Sequence, residues 1–240
     1  MNSETEVSRQ KVIELFSDLW KVVYFRHLKS GILSGCHDPF HTARVGQYAF
    51  EIAETPDVAR LAGVAGLCHN ADRILQHDLK VGRKDVPMEM VRDLVNKWLD
   101  CIDLSKDDRD LILDAVLNHS LPNDSNDGPV LMALKDADRL ANLELDVIMR
   151  SAQFYPDFPV VDPVNWLSDP TATFREPKSV VKDLANNAEW GNFGDPKFGI
   201  RLSKAQLRAT EFTNFLLDYI ERVRKCWTDA GLLPFVTPEG

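Results

Sequence analysis

Apolar residues recur along most of this chain at intervals of three and four, the spacing that places them on one face of an α-helix. Val12, Phe16, Trp20, Val23 and Phe25 predict a helix from about residue 5 to 30, which the glycines and proline of residues 30–40 break. A second helix, about 41 to 54, carries His41, Val45, Tyr48, Ala49 and Ile52 on one side. Thr55-Pro56-Asp57 restarts the chain in a third helix, which continues through the stretch Ala62 to Ile74. After a polar loop over 77–86, helices are expected over 87–101, 107–119 and 129–151, the last two separated by a Pro/Asn/Asp/Gly-rich loop. A last long helix over 203–229 carries Leu207, Phe212, Phe215, Leu216, Ile220 and Val223.

Between 151 and 202 the helical pattern dissolves. Prolines recur at 156, 159, 163, 170, 177 and 196, and aromatic residues are frequent. A disordered tail would be poorer in aromatics, so the segment is expected to be an ordered flap held by Trp166, Phe174, Trp190 and Phe193, with one short helix near 179–187. No repeat and no convincing strand is visible. The expectation is an all-α fold of one domain over 1–240: a motif-bearing core at about 37–150, the flap, and a C-terminal helix.

The apolar stripes carry four residues that do not belong in a hydrophobic interior. His41 opens one face. His69 continues the stripe of Leu61, Ala65 and Cys68, with Asp72 three residues on. His119 ends the face of Ile112, Ala115 and Val116, and Asp138 lies among Leu131, Leu134, Ala141 and Leu145. A lone histidine on such a face is ordinarily a hydrogen-bonded core residue. Four metal-competent side chains from four helices are different, because a shared divalent ion stabilises them together where separate burial costs several kcal/mol.

These residues resemble the HD-domain metal-dependent phosphohydrolases, whose pattern is a histidine, a His-Asp pair and a distant aspartate. The match reads His41 in His-Thr-Ala-Arg-Val, the pair position at His69-Asn70, and Asp138 in Lys-Asp-Ala-Asp-Arg-Leu-Ala-Asn, with Asn-His-Ser at 118–120 between them. The resemblance covers about 37–150 and implies a core of about five helices around the metal. It also implies one divalent ion (Mn, Fe, Co, Ni, Zn or Mg) held by His41, His69 and Asp138 with Asn70 or Asp72, hydrolysing a phosphate ester of a nucleotide or another small metabolite through activated water. Arg73 stands where many relatives have a lysine, and with Arg44 it would grip the phosphate. Asp72 would serve as general base, and His119 as proton donor, phosphate ligand or holder of a second metal.

Asn70 departs from the pattern, offering a neutral amide oxygen in place of a carboxylate, so metal affinity or preference should differ. Three readings stand: a natural variant site, a degenerate binding module, or an Asp-to-Asn change that traps a substrate complex. A di-iron oxygenase of the same fold needs two more histidines before the last aspartate, and only His77 and His119 lie there. Asp136 should face away from the site and cap a neighbour, while His37 and Asp38 fix the turn before His41. His27 and His77 read as surface residues.

Charge and composition narrow the partners. The formal net charge of -9 and pI near 5.2 argue against a broad surface for a phosphate backbone, so no nucleic acid is expected. No segment approaches the roughly 18 apolar residues of a membrane span, and the start Met-Asn-Ser-Glu-Thr-Glu-Val is unlike a signal peptide. A cytoplasmic protein, monomer or homodimer, is expected. Cys36, Cys68, Cys101 and Cys226 form no CxxC pair and read as reduced thiols, with Cys36 and Cys68 as small fillers near the site.

Overall fold

A computed structural model describes residues 11–32 and 37–233, which leaves the expected helical residues before 11 and the Cys36 thiol outside the described residues. Among the described residues the fold is all-α, and two residues meet in an isolated bridge, Thr173 with Glu176. The α-helices are α1 Val12–Leu15, α2 Ser17–Ser30, α3 Pro39–Ile52, α4 Pro56–Cys68, α5 Ala71–Leu79, α6 Met88–Leu99, α7 Lys106–Asn118, α8 Pro129–Ala141, α9 Val147–Phe154, α10 Val180–Ala188 and α11 Ser203–Asp229. None of them is long and apolar enough to cross a membrane.

The starts of the site-bearing helices are written locally. Asp38 accepts the His41 backbone N–H at 2.7 Å ahead of Pro39, and Thr55 accepts that of Val58 ahead of Pro56. Ser105 caps α7 in the same way. Asp38 thus fixes the turn before His41, as expected.

The centre of the molecule is the crossing of α3 and α4, where small residues let two backbones touch. A Cβ placed on Gly66 would fall 2.5 Å from Gly46 Cα and 2.7 Å from Gly46 N, and Gly46 in turn faces the Gly63 carbonyl. α8 packs against both helices and against α7, α5 packs on α6, and α11 closes over α8 and α10. Val45, Ala49, Ala62, Ala65, Leu67, Ile112, Leu134 and Leu140 form the buried middle of this bundle.

Three expected helices are interrupted. The first breaks at Phe16, and Phe25, expected to supply bulk, is 63% exposed. The helix expected over 129–151 stops at Ala141, turns through Asn142 to Asp146 and restarts as α9, which swings Leu145 out to solvent. The run Ala62 to Ile74 is two helices meeting at His69 and Asn70. His69 Nδ1 donates to the Gly66 carbonyl, occupying an acceptor at the end of α4, and Asn70 O then accepts from Arg73 N and Ile74 N as α5 begins. The phase argument that put Asp72 beside His69 therefore does not carry across the break. His27 is corrected too: it is fully buried, with Nδ1 donating to Val23 O at 2.9 Å, whereas His77 is exposed as expected.

The short helix of the flap is α10; of the four aromatic residues expected to hold the flap, Trp166 and Trp190 pack against the core while Phe174 and Phe193 are exposed. The helix is tied down by hydrogen bonds from Val180 N and Val181 N to the carbonyls of Pro159 and Val160. Asp136 is wholly buried and accepts from Arg201 N and Leu202 N, joining α8 to the start of α11, the capping role expected of it. Between α9 and α10 the Ser151 hydroxyl donates to buried Asp183. Burial pushes the Asp183 carboxyl up by more than that bond lowers it. Its contribution to stability is then complete below the unfolded carboxylate range and is lost as pH rises through the folded value. Asp183→Asn is expected to raise the melting temperature at pH 8 by roughly 2–4 °C, equivalent to about 1 kcal/mol, with a smaller gain at pH 4. Thermal melts at the two pH values check it.

Candidate metal centre

α3, α4 and α8 bring three ligand-bearing side chains to one point. His41 Nε2 lies 3.2 Å from Asp138 Oδ1, and His69 Nε2 lies 3.9 Å from the same oxygen. One ligand atom from each residue falls within 4.8 Å of the other two. Both histidines are buried, while Asp138 is partly open to solvent.

The histidine hydrogen bonds define which nitrogens are available. His69 Nδ1 sits 2.7 Å from Gly66 O, so it carries the proton and Nε2 presents a lone pair. That Nε2 is buried and has no hydrogen-bond partner among the described residues. His119 repeats the device at the end of α7, with Nδ1 donating to Val116 O at 2.7 Å. The rings of His37, His41, His69 and His119 form a row, with neighbouring centroids 6.2, 5.3 and 5.4 Å apart.

Electrostatics separate the roles within this row. Burial holds the His69 imidazolium down to about pKa 3, so the ring is neutral and fit to bind a cation. Burial alone would raise Asp138, but the hydrogen bond with His41 leads the interactions that together hold the carboxyl well below its ordinary range. Two imidazoles and one carboxylate, with His41 Nδ1 and His69 Nε2 both buried and without a hydrogen-bond partner among the described residues, fit a divalent transition ion or zinc. His41, His69 and Asp138 would hold it.

The other expected site residues fall as follows. Asn70 is buried, with Nδ2 donating to Thr42 Oγ1 at 3.1 Å, and Thr42 lies next to His41 in α3. Asp72 pairs with Arg83 at 2.8 Å through Oδ2, while its buried Oδ1 has no hydrogen-bond partner among the described residues. Burial would raise the Asp72 carboxyl, yet His119, Arg83 and Arg73 together hold it below its ordinary value. Arg73 donates to Gln76 at 3.1 Å, and burial and Arg83 lower it against the opposing pull of Asp72 and Asp138. Arg44 makes ion pairs with Asp146 at 2.6 Å and Glu144 at 2.9 Å. His77 is exposed and outside the histidine row. Sequence reasoning missed Arg83, which reaches Asp72 from the loop after α5; its place in a polar loop gave no signal.

Comparison with known proteins agrees with this geometry. Residues 40–143 match the HD domain family. A crystal structure of an HD-superfamily hydrolase from Bacillus thuringiensis shares the fold, with a TM-score of 0.59 and 16% sequence identity over 90% of this chain and 98% of that one. No curated protein matches the chain. The two histidines and the aspartate that converge here all lie inside residues 40–143, the span that matches the HD domain family.

Proposed function

We propose that this protein is a metal-dependent phosphohydrolase acting on a small phosphorylated metabolite, nucleotides among the candidates. The observation that carries the reading is the His41, His69 and Asp138 group, in which both histidines are buried and His69 Nε2 is left without a hydrogen-bond partner among the described residues. A divalent ion bound there supplies Lewis-acid polarisation of a phosphoryl oxygen and lowers the pKa of water.

The chain's own residues supply the rest. Arg73 makes its side-chain hydrogen bond to a neutral amide, so its remaining N–H groups can hold phosphoryl oxygens. Arg44, engaged by two carboxylates, holds α3 to the turn after α8. His119 keeps a proton on Nδ1 and offers Nε2 to accept a proton and return it to a leaving oxygen. Asp72, kept ionised beside His119 and Arg83, has Oδ1 free to accept a hydrogen bond from attacking water. A di-iron oxygenase would need His77 as well, and it points to solvent.

Asn70 is seated in the core with its amide nitrogen donating to Thr42, beside His41. The experiment is metal analysis together with phosphate release from a panel of nucleotides and sugar phosphates, on this chain and on Asn70→Asp. The expected result is about one ion per chain and measurable turnover for this chain, with a changed metal preference in Asn70→Asp. Absence of both metal and turnover in the two proteins would overturn the reading.

A further inference from the structure

Asp138 Oδ1, the oxygen facing both histidines, has one more polar partner. Asn142, a turn later at the end of α8, donates from Nδ2 to Asp138 O at 2.9 Å and to Asp138 Oδ1 at 3.3 Å. Its own Oδ1 accepts from Arg150 Nη1 at 3.3 Å. The amide can sit only this way round, since two oxygens at one end require N–H donors and a guanidinium at the other requires the carbonyl oxygen.

Arg150 is itself buried and fixed. Its Nη2 donates to Ala141 O at 2.6 Å and its Nε to Asp146 Oδ1 at 3.2 Å. Asp146 Oδ2 accepts from Arg44 Nη1 at 2.6 Å, and Arg44 lies three residues beyond His41 on α3. The bonds close a circuit from His41 through Asp138, Asn142, Arg150, Asp146 and Arg44 back to α3.

We propose that Asn142 and Arg150 are positioning residues, a relay that fixes Asp138 as a one-oxygen ligand aimed at the His41 and His69 nitrogens. The proposal rests on the metal-centre reading. Asn142 takes one lone-pair direction of Oδ1 and leaves the other toward the histidines, so the carboxylate cannot rotate to offer both oxygens at once. Oδ2 remains to accept a hydrogen bond from water or substrate. A neutral amide between Arg150 and Asp138 also transmits orientation without a direct salt bridge. A guanidinium paired to Asp138 would compete with the bound cation for its charge.

The interruption after Ala141 is what allows this. In a continuous helix the chain would carry on past Asn142 and take Arg150 two turns away from it. The turn at 142–146 folds α9 back so that Arg150 reaches both Ala141 O and Asn142.

Co(II) titration followed by visible absorption, on the full chain, Asn142→Ala, Arg150→Met and the double variant, tests the relay. Each single variant is expected to bind Co(II) about 10–100-fold more weakly, with an altered spectrum, and the double variant no more weakly than Asn142→Ala. Melts of the metal-free proteins separate folding from ligation, and Asn142→Ala decides the matter alone if Arg150→Met does not fold. If the unmodified chain binds Co(II) and Asn142→Ala matches it in affinity and spectrum, the relay is overturned while the centre stands. If the two single effects add in the double variant, Arg150 does not act through Asn142. A chain that binds no Co(II) at all removes the centre and the relay with it.

Discussion

His69→Ala is expected to lose the bound ion and to lower phosphate release by about three orders of magnitude or more. The Nε2 of His69 has no hydrogen-bond partner among the described residues, and its Nδ1 is spent on the Gly66 carbonyl, so Nε2 is the nitrogen open to a cation. Removing it leaves His41 and Asp138, a pair too small to hold a catalytic ion tightly. The Lewis-acid contribution to such reactions is several kcal/mol, and each 1.36 kcal/mol is a factor of ten in rate. The substitution also strips the Gly66 carbonyl of its partner, an added stability cost of about 1–3 kcal/mol. Metal analysis and single-turnover phosphate release measure the first effect, and thermal melting the second. A variant that kept its metal would show that the ion binds elsewhere.

Gly66→Ala should produce the largest loss of stability from the smallest chemical change. The new methyl group meets backbone, Gly46 Cα and N and the Val45 carbonyl carbon, and backbone cannot rotate aside as a side chain can. α3 and α4 must separate, which opens the packing around Val45, Ala49, Ala62 and Leu67. Overpacking of this kind costs about 3 kcal/mol, or roughly 6–12 °C in melting temperature for a chain of this size. Because α3 carries His41 and the end of α4 carries His69, the two nitrogens move apart as well. Calorimetry and metal titration should therefore fail together. Gly63→Ala is the milder comparison, since its closest contact at 2.9 Å is a Val12 side-chain methyl that can shift.

The convergence of His41, His69 and Asp138 was legible because each sits in phase with an apolar stripe of its own helix, and such a phase holds up to the point where that helix ends. The span of the final helix, Ser203–Asp229, was legible too, although its buried face runs through Ala205, Ala209, Leu216 and Ile220 and leaves Leu207 and Phe215 exposed. The breaks were not. Neither His69-Asn70 nor Asn142 carries a glycine or proline, and the chain is turned there by side chains bonding helix-end carbonyls, an event that periodicity cannot register. Arg44 was read as a phosphate ligand because its partners Glu144 and Asp146 lie a hundred residues away, on the far side of a turn the sequence did not announce. His27 was read as a surface residue because no apolar phase was assigned to it, although in the fold it is buried, with its two ring nitrogens facing Val23 O and Thr42 Oγ1.

His69 and His119 each stand immediately after the last residue of a helix, bonded back to a carbonyl three residues earlier. Their aim is thus set by where a helix stops. A residue inserted into the loop at 80–87 or 120–128 leaves both rings where they are, because it lies downstream of the stop. One inserted within α4 or α7 turns the terminal ring by about 100° and advances it 1.5 Å, out of the row. Length variation in descendants of this chain should accordingly collect in the loops and the flap, while α4 and α7 keep their residue count even where their apolar side chains are exchanged.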